Sequence, residues 1–177
     1  MKIRNTASFC RVLRAVLCAM LAFAFLLSAL PAKAADTESP SASGKLRPIQ
    51  TYELLDMLAE EHGKVILVNF FASFCGPCRQ EIPELIQLRK EISQEDLVII
   101  GVAIDQDIRD AEEFVKKMGM RGSYPVFFAQ EDLVRSYRIN AIPFNVIYNR
   151  QGRIEVSEAG YVPADDMKKF IMDLIRR

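Results

Sequence analysis

From Val65 to Ala72 the chain runs through eight residues of which only Asn69 is polar, and three residues further on Cys75 and Cys78 bracket Gly76-Pro77. An apolar run this short, rich in β-branched and aromatic side chains, reads as a strand covered on both faces. The stretch that follows, Cys75 to Ile92, carries helical spacing, so the two cysteines open a helix directly behind a buried strand. A strand that needs cover on both faces, feeding straight into a helix, restricts the chain to layered α/β arrangements.

The segment ahead of this domain has a separate character. Lys2, Arg4, Arg11 and Arg14 precede an uncharged run of eighteen residues from Ala15 to Ala32, and Ala32-Lys33-Ala34 supplies small residues on the near side of a cut after Ala34. This is the layout of a signal peptide over 1–34. The alternative is an N-terminal membrane anchor, because eighteen uncharged residues reach the lower limit for a span. Either reading puts the remainder outside the cytoplasm. Bulky Phe9 and Leu17 precede Cys10 and Cys18, which argues against lipid attachment. Residues 35–45 are too polar to pack and read as a flexible linker, leaving 46–177 as the folded domain.

Charge changes meaning once these parts are separated. The whole chain has 23 Lys plus Arg against 23 Asp plus Glu. A cut after Ala34 removes five basic side chains and no acidic one, so 18 face 23 and the exported domain carries a net charge of −5. No basic stripe invites nucleic acid, and no nucleic-acid partner is expected. The same cut takes Cys10 and Cys18 with it, leaving Cys75 and Cys78.

Within the domain, helical and strand patterns alternate. Thr51 to His62 places Leu54, Leu55, Met57 and Leu58 around one face and ends at Gly63. After the Cys75 helix come a buried strand at 97–104, a helix capped by Asp107 and closed by Gly119, a strand at 126–129, a short helix at 131–137 and a strand at 144–148. Asn149-Arg150-Gln151-Gly152 is turn chemistry, so 153–159 returns as the second arm of an antiparallel hairpin. A helix over 164–175 closes the chain. The expected sheet is mixed: parallel where helices cross over, antiparallel at the end.

The chemistry sits at the cysteine pair. Three residues apart on a helix, their Cα atoms lie about 5 Å from each other, within reach of a disulfide. Free N–H groups at the helix N-terminus favour a thiolate at Cys75, the attacking sulfur; Cys78, one turn further in, is the resolving sulfur. Pro77 is tolerated because a first-turn position has no intrahelical N–H bond to lose. The competing readings are a structural bridge, a zinc site and two unrelated thiols. A bridge over so short a loop adds little stability. Zinc needs four ligands, and the domain offers two cysteines and His62; unrelated thiols suit an oxidising compartment poorly.

The segment Val68 to Pro83, with Cys75-Gly76-Pro77-Cys78-Arg79-Gln80-Glu81-Ile82-Pro83 at its centre, resembles the active-site segment of the thioredoxin superfamily, and more narrowly its exported TlpA/ResA-like thiol-disulfide oxidoreductases. The resemblance implies an α/β thioredoxin-like fold, a central mixed β-sheet flanked by helices with a helical insert in the middle, here the stretch from Asp105 to Met118. It also implies that Ile142-Pro143 holds a cis proline beside the sulfurs, with Ile142 pairing its backbone to a substrate peptide. A trans proline that merely opens a strand is the alternative. Glu81 would hold or relay a proton and tune the thiols, against the alternative of a solvated helix carboxylate. Pro83 should kink the helix that carries the cysteines. Two departures from thioredoxin itself stand out, Asn69 for its buried aspartate and Phe74 for its tryptophan. Asn69 cannot take a proton, so Glu81 or water must serve.

The implied function is a periplasmic oxidoreductase that reduces disulfides in exported proteins, apocytochrome c during cytochrome c maturation among them. A membrane electron donor would re-reduce it, and membrane contact would come only through a retained anchor. The Gly-Pro between the cysteines argues for the reducing half of the superfamily's range. A disulfide-forming oxidase or isomerase of the same fold, or a non-catalytic binding module, are the alternatives. The chemistry requires no cofactor and no metal, and the lack of a histidine downstream of the cysteines argues against a copper chaperone.

Overall fold

A computed structural model describes residues 45–177. The expected signal peptide, 1–34, and the linker up to residue 44 lie outside the described residues. Leu46 is buried and its N–H donates to Glu112 Oε1 at 3.0 Å, so the chain is pinned where the domain begins.

The elements in chain order are β1 (Arg47–Ile49), α1 (Thr51–Glu60), β2 (Val65–Phe71), α2 (Gly76–Glu91), β3 (Leu97–Ala103), α3 (Ile108–Lys117), β4 (Val126–Ala129), α4 (Glu131–Ser136), β5 (Phe144–Tyr148), β6 (Ile154–Ala159) and α5 (Ala164–Arg176). They form one six-stranded sheet of order β1-β4-β3-β2-β5-β6. The first four of these strands are parallel to one another, β5 runs against them, and β6, antiparallel to β5, returns to their direction at the sheet edge. This is the mixed α/β thioredoxin-like architecture expected from the sequence.

Strand alternation divides the core in two. Val65, Leu67 and Phe71 point to one face with Ile82 and Leu85 of α2, Phe114 of α3 and Ile171 of α5. Ile66, Val68 and Phe70 point to the other, with Leu54 of α1 and Leu133 of α4. All seven residues of β2 are buried, because a central strand between two helical layers has no solvated side. Gly63 and Gly119 take positive φ, 97° and 66°, behind α1 and α3, as glycines that end helices do.

Three expectations need correction. The strand β1 was not foreseen: it is three residues long, contains Pro48 and pairs only along β4 at the sheet edge, so it carries no alternation to read. The return to antiparallel direction comes at β5, before the hairpin. The six-residue helix α4 spans about 9 Å, too little to carry the chain back along the sheet, so β5 starts where β2 ends. Leu55 is 51 % exposed although it shares the apolar pattern of α1; Leu54 alone of that helix is fully buried.

Replacing Ile171, fully buried on α5, with alanine should cost about 2–5 kcal/mol of unfolding free energy. Leu55→Ala should cost less than about 0.5 kcal/mol. Urea denaturation with an unchanged slope measures both.

Candidate active site

The junction between β2 and α2 places the cysteine pair at the C-terminal end of the sheet's central strand. Cys75 is the N-cap of α2, in extended conformation (φ −83°, ψ 110°), and the helix starts at Gly76-Pro77. Cys75 and Cys78 are joined in a disulfide with Cα atoms 5.3 Å apart, close to the separation that helix geometry dictates. The Cys78 N–H donates to Cys75 Sγ at 3.1 Å. Cys75 retains 5 % exposure and Cys78 none, so an incoming reagent meets Cys75 first.

Two side chains hold the turn ahead of Cys75. The Ser73 N–H donates to both oxygens of Asp105, at 3.0 and 3.2 Å, and the Ser73 carbonyl accepts from Arg79 Nη2 at 2.5 Å. The Arg79 guanidinium also lies 5.4 Å from the centre of the Phe114 ring. The turn is thus fastened on one side to the loop after β3 and on the other to α2 and α3. Next to it, Phe74 projects into solvent with 72 % exposure.

Glu81 lies one turn beyond Cys78 and is 1 % exposed, which removes the solvated-carboxylate alternative. Its Oε1 accepts from Asn145 Nδ2 at 2.9 Å and from the Val162 N–H at 3.2 Å; its Oε2 accepts from Asn69 Nδ2 at 2.8 Å. Asn69 Nδ2 donates as well to Asn145 Oδ1 at 2.8 Å. The two asparagines face one another because β2 and β5 pair Asn69 with Asn145 in register. Burial pushes the Glu81 carboxyl above its ordinary 4.5, the bonds from Asn145, Val162 and Asn69 oppose that rise, and the charge of Glu84 adds to it.

The Ile142–Pro143 bond is cis. Phe144 pairs with Phe70, so Ile142 lies beside the end of β2, close to the turn that leads into Cys75. Pro83 sits within α2, which runs on through it to Glu91. His62 precedes β2 while the cysteines follow it, a seven-residue strand or about 23 Å apart, so the zinc alternative fails on distance. Among the described residues no group of three or more His, Cys, Asp or Glu is arranged to hold a metal ion, and no helix is long and apolar enough to cross a membrane.

Sequence reasoning passed over Asn145, Asp105 and the Arg79–Ser73 contact. Asn145 did leave a signal. It is the lone polar residue inside the apolar strand Phe144–Tyr148, as Asn69 is inside Val65–Phe71, and isolated polar residues in two buried strands require partners.

Residues 63–154 match a family model described as Thioredoxin-like. The chain is similar to the thiol-disulfide oxidoreductase ResA of Halalkalibacterium halodurans, with 27 % identity over 120 residues, covering 67 % of this chain and 66 % of that protein. It is similar also to the thiol:disulfide interchange protein HelX of Rhodobacter capsulatus, 28 % identical over 148 residues, covering 84 % and 81 %. Among solved structures, a thiol:disulfide interchange protein of Chlorobium tepidum superposes with a TM-score of 0.60 at 27 % identity, covering 66 % of this chain and 83 % of that one.

The raised Glu81 carboxyl has a consequence for stability. The folded protein holds this proton more tightly than the unfolded chain does. Its contribution to stability is therefore complete below the ordinary 4.5 and is lost as the pH rises through the shifted value. Glu81→Gln should flatten that part of the stability–pH curve. Urea denaturation over a pH series checks it; a curve of unchanged shape would assign the proton elsewhere.

Proposed function

The chain belongs to the thioredoxin-like family, and on that premise we propose that it is a thiol-disulfide oxidoreductase, active outside the cytoplasm, that reduces disulfides in exported proteins through Cys75 and Cys78. The observation that carries this reading is a disulfide at a helix N-terminus with a buried carboxylate one turn behind it. A bridge closing so short a loop adds little stability, so its position next to activating and proton-holding groups is better explained by turnover.

The reaction runs in two exchanges. The Cys75 thiolate, favoured by the Cys78 N–H and the helix N-terminus, attacks one sulfur of a substrate disulfide. The substrate S–S bond breaks, a mixed disulfide forms, and the departing thiolate takes a proton from solvent. Cys78 then gives its proton to Glu81 and attacks Cys75 Sγ, which closes the intramolecular bridge and expels the second substrate thiolate. That thiolate is protonated as Glu81 returns to the carboxylate. Two electrons have passed to the substrate, and a membrane electron donor restores the dithiol.

Pro77 contributes by carrying no N–H, which leaves the Cys78 N–H to face the Cys75 sulfur. Ile142, beside the end of β2, offers its main chain to a substrate segment strand against strand, and cis Pro143 turns it there. Phe74 adds exposed apolar surface at the rim. The basic, apolar and small-residue sequence of 1–34 supports export to the periplasm, by cleavage or as an anchor, with 35–45 as tether and 46–177 as the working domain. Apocytochrome c, whose haem-attachment cysteines must be reduced, is the first substrate class to test.

A Cys78→Ala variant expressed in the periplasm should accumulate mixed disulfides through Cys75, which a further Cys75→Ala change abolishes. Identification of the trapped proteins names the substrates. Failure to trap any would favour a binding module. Equilibration with glutathione should give a reducing midpoint; one near the most oxidising members of the fold, about −120 mV, would favour the oxidase or isomerase.

A further inference from the structure

The segment between β6 and α5 reaches the buried carboxylate. β6 ends at Ala159, paired with Phe144, and the next residue, Gly160, turns away with φ 118°, a conformation open chiefly to glycine. The Gly160 N–H donates to the Pro143 carbonyl at 2.8 Å. Tyr161 follows, its hydroxyl donating to Glu84 Oε1 at 2.8 Å, and then Val162, whose N–H donates to Glu81 Oε1 at 3.2 Å. Pro163, the N-cap of α5, closes the segment. Residues 160–163 thus form a strap that ties the cis proline to α2 and leads into α5. Ile142 and Val162 both pack on the apolar cluster that holds the cysteines.

Asn69 and Asn145 reach Glu81 from β2 and β5, where the ladder fixes them. The Val162 N–H belongs to neither helix nor strand, so its aim depends on what holds the strap down. Pro163 stiffens the far end through its fixed φ and keeps Val162 out of helical conformation. Tyr161 and Val162 are neighbours in sequence, and Glu84 and Glu81 lie one turn apart, so the two bonds run side by side onto one helix. Tyr161 is 37 % exposed, and a neutral hydrogen bond at the surface adds little to stability; what this one adds is direction. We infer that Tyr161 is a positioning residue for Glu81: by fastening the strap to Glu84, its hydroxyl holds the Val162 N–H on the buried carboxylate.

A backbone N–H on a carboxylate favours its charged form, so a strap held in place makes Glu81 release its proton more readily. The ionisable groups around Glu81 are Glu84 on its own helix, Tyr161 on the strap, Tyr124 ahead of β4 and the reduced cysteines; β2 and β5 contribute the uncharged amides of Asn69 and Asn145. Glu84 acts in two opposed ways: its oxygen anchors the strap, while its charge raises the Glu81 carboxyl. The bond to Glu84 pushes the Tyr161 phenol above its ordinary 10.0, so it remains a donor while Glu81 titrates.

The inference rests on the proton-holding role of Glu81 in the oxidoreductase reading. In the reduced full-length protein, the pH profile of Cys75 alkylation by iodoacetamide should contain a limb that Glu81→Gln removes. Tyr161→Phe, with a urea midpoint close to the parent's, should move that limb upward by about half a pH unit. It should also speed amide exchange at Val162 about fivefold, the factor that one ordinary hydrogen bond holds back. Both changes should persist in a Glu84→Gln background, because glutamine keeps an oxygen for the hydroxyl and loses the charge. A limb or an exchange rate unaltered by Tyr161→Phe overturns the inference. So does a shift that vanishes with Glu84→Gln, since Tyr161 would then act on the charge of Glu84 and not through the strap. A parent profile indifferent to Glu81→Gln removes Glu81 from the mechanism and the inference with it. Failure of the parent protein to reduce insulin disulfides would instead count against the oxidoreductase reading, with alkylation and exchange still deciding the role of Tyr161.

Discussion

Glu81 is a carboxylate almost wholly out of water, and three donors from three parts of the chain converge on it. Removing such a group from solvent costs on the order of several kcal/mol, which only close hydrogen bonds offset. Asn69 reaches it from β2, Asn145 from β5 and the Val162 N–H from the loop before α5. The carboxylate therefore fixes the rotation of α2 against the sheet. That rotation sets the direction of Cys78, one turn earlier on the same helix, and with it the line along which the second sulfur approaches the first.

The turn ahead of Cys75 is held by different means. Asp105 takes the Ser73 N–H and Arg79 the Ser73 carbonyl, so the two peptide units that flank Ser73 are each held by a side chain. With the turn fastened, Cys75 can serve as N-cap, where its sulfur meets an N–H that the helix itself leaves free. The insert between β3 and β4 contributes Asp105 and, through Phe114, the aromatic surface against which Arg79 lies. The insert thus braces the cysteine turn in addition to lengthening the domain.

Much of this was legible in the sequence because local patterns carried it. The buried strand before the cysteines, the glycine stops and the hairpin at Asn149-Arg150-Gln151-Gly152 each have a signature within a few residues, while the cis proline was expected from the family resemblance alone. Other features depend on what lies across the fold. β1 is strand only because β4 offers it an edge, and β5 runs backwards because α4 is short. Leu55 is exposed because α1 buries little more than Leu54. Glu81 could not be told from a solvated carboxylate until Asn145, 64 residues on, was in place beside it. Isolated polar residues in apolar strands are the one sequence clue to such pairings, and they announce a partner without naming it.

The choice of amides at 69 and 145 bears on the chemistry. A second carboxylate within 2.8 Å of Glu81 would share one proton with it, and the two would titrate as a pair over a wide pH range. Asparagine supplies donors without a second ionisation, leaving Glu81 as the single carboxylate of this hydrogen-bonded group. In the proposed exchange one proton leaves Cys78 in each turnover, so one acceptor suffices. Thioredoxin's buried aspartate lies on the strand; here the buried carboxylate lies on the helix that carries the sulfurs, and the strands provide the amide hydrogen bonds that keep it in place. In the proposed mechanism, the acid and the resolving thiol thus share one helix, so a motion that brings Cys78 toward Cys75 carries the proton acceptor with it.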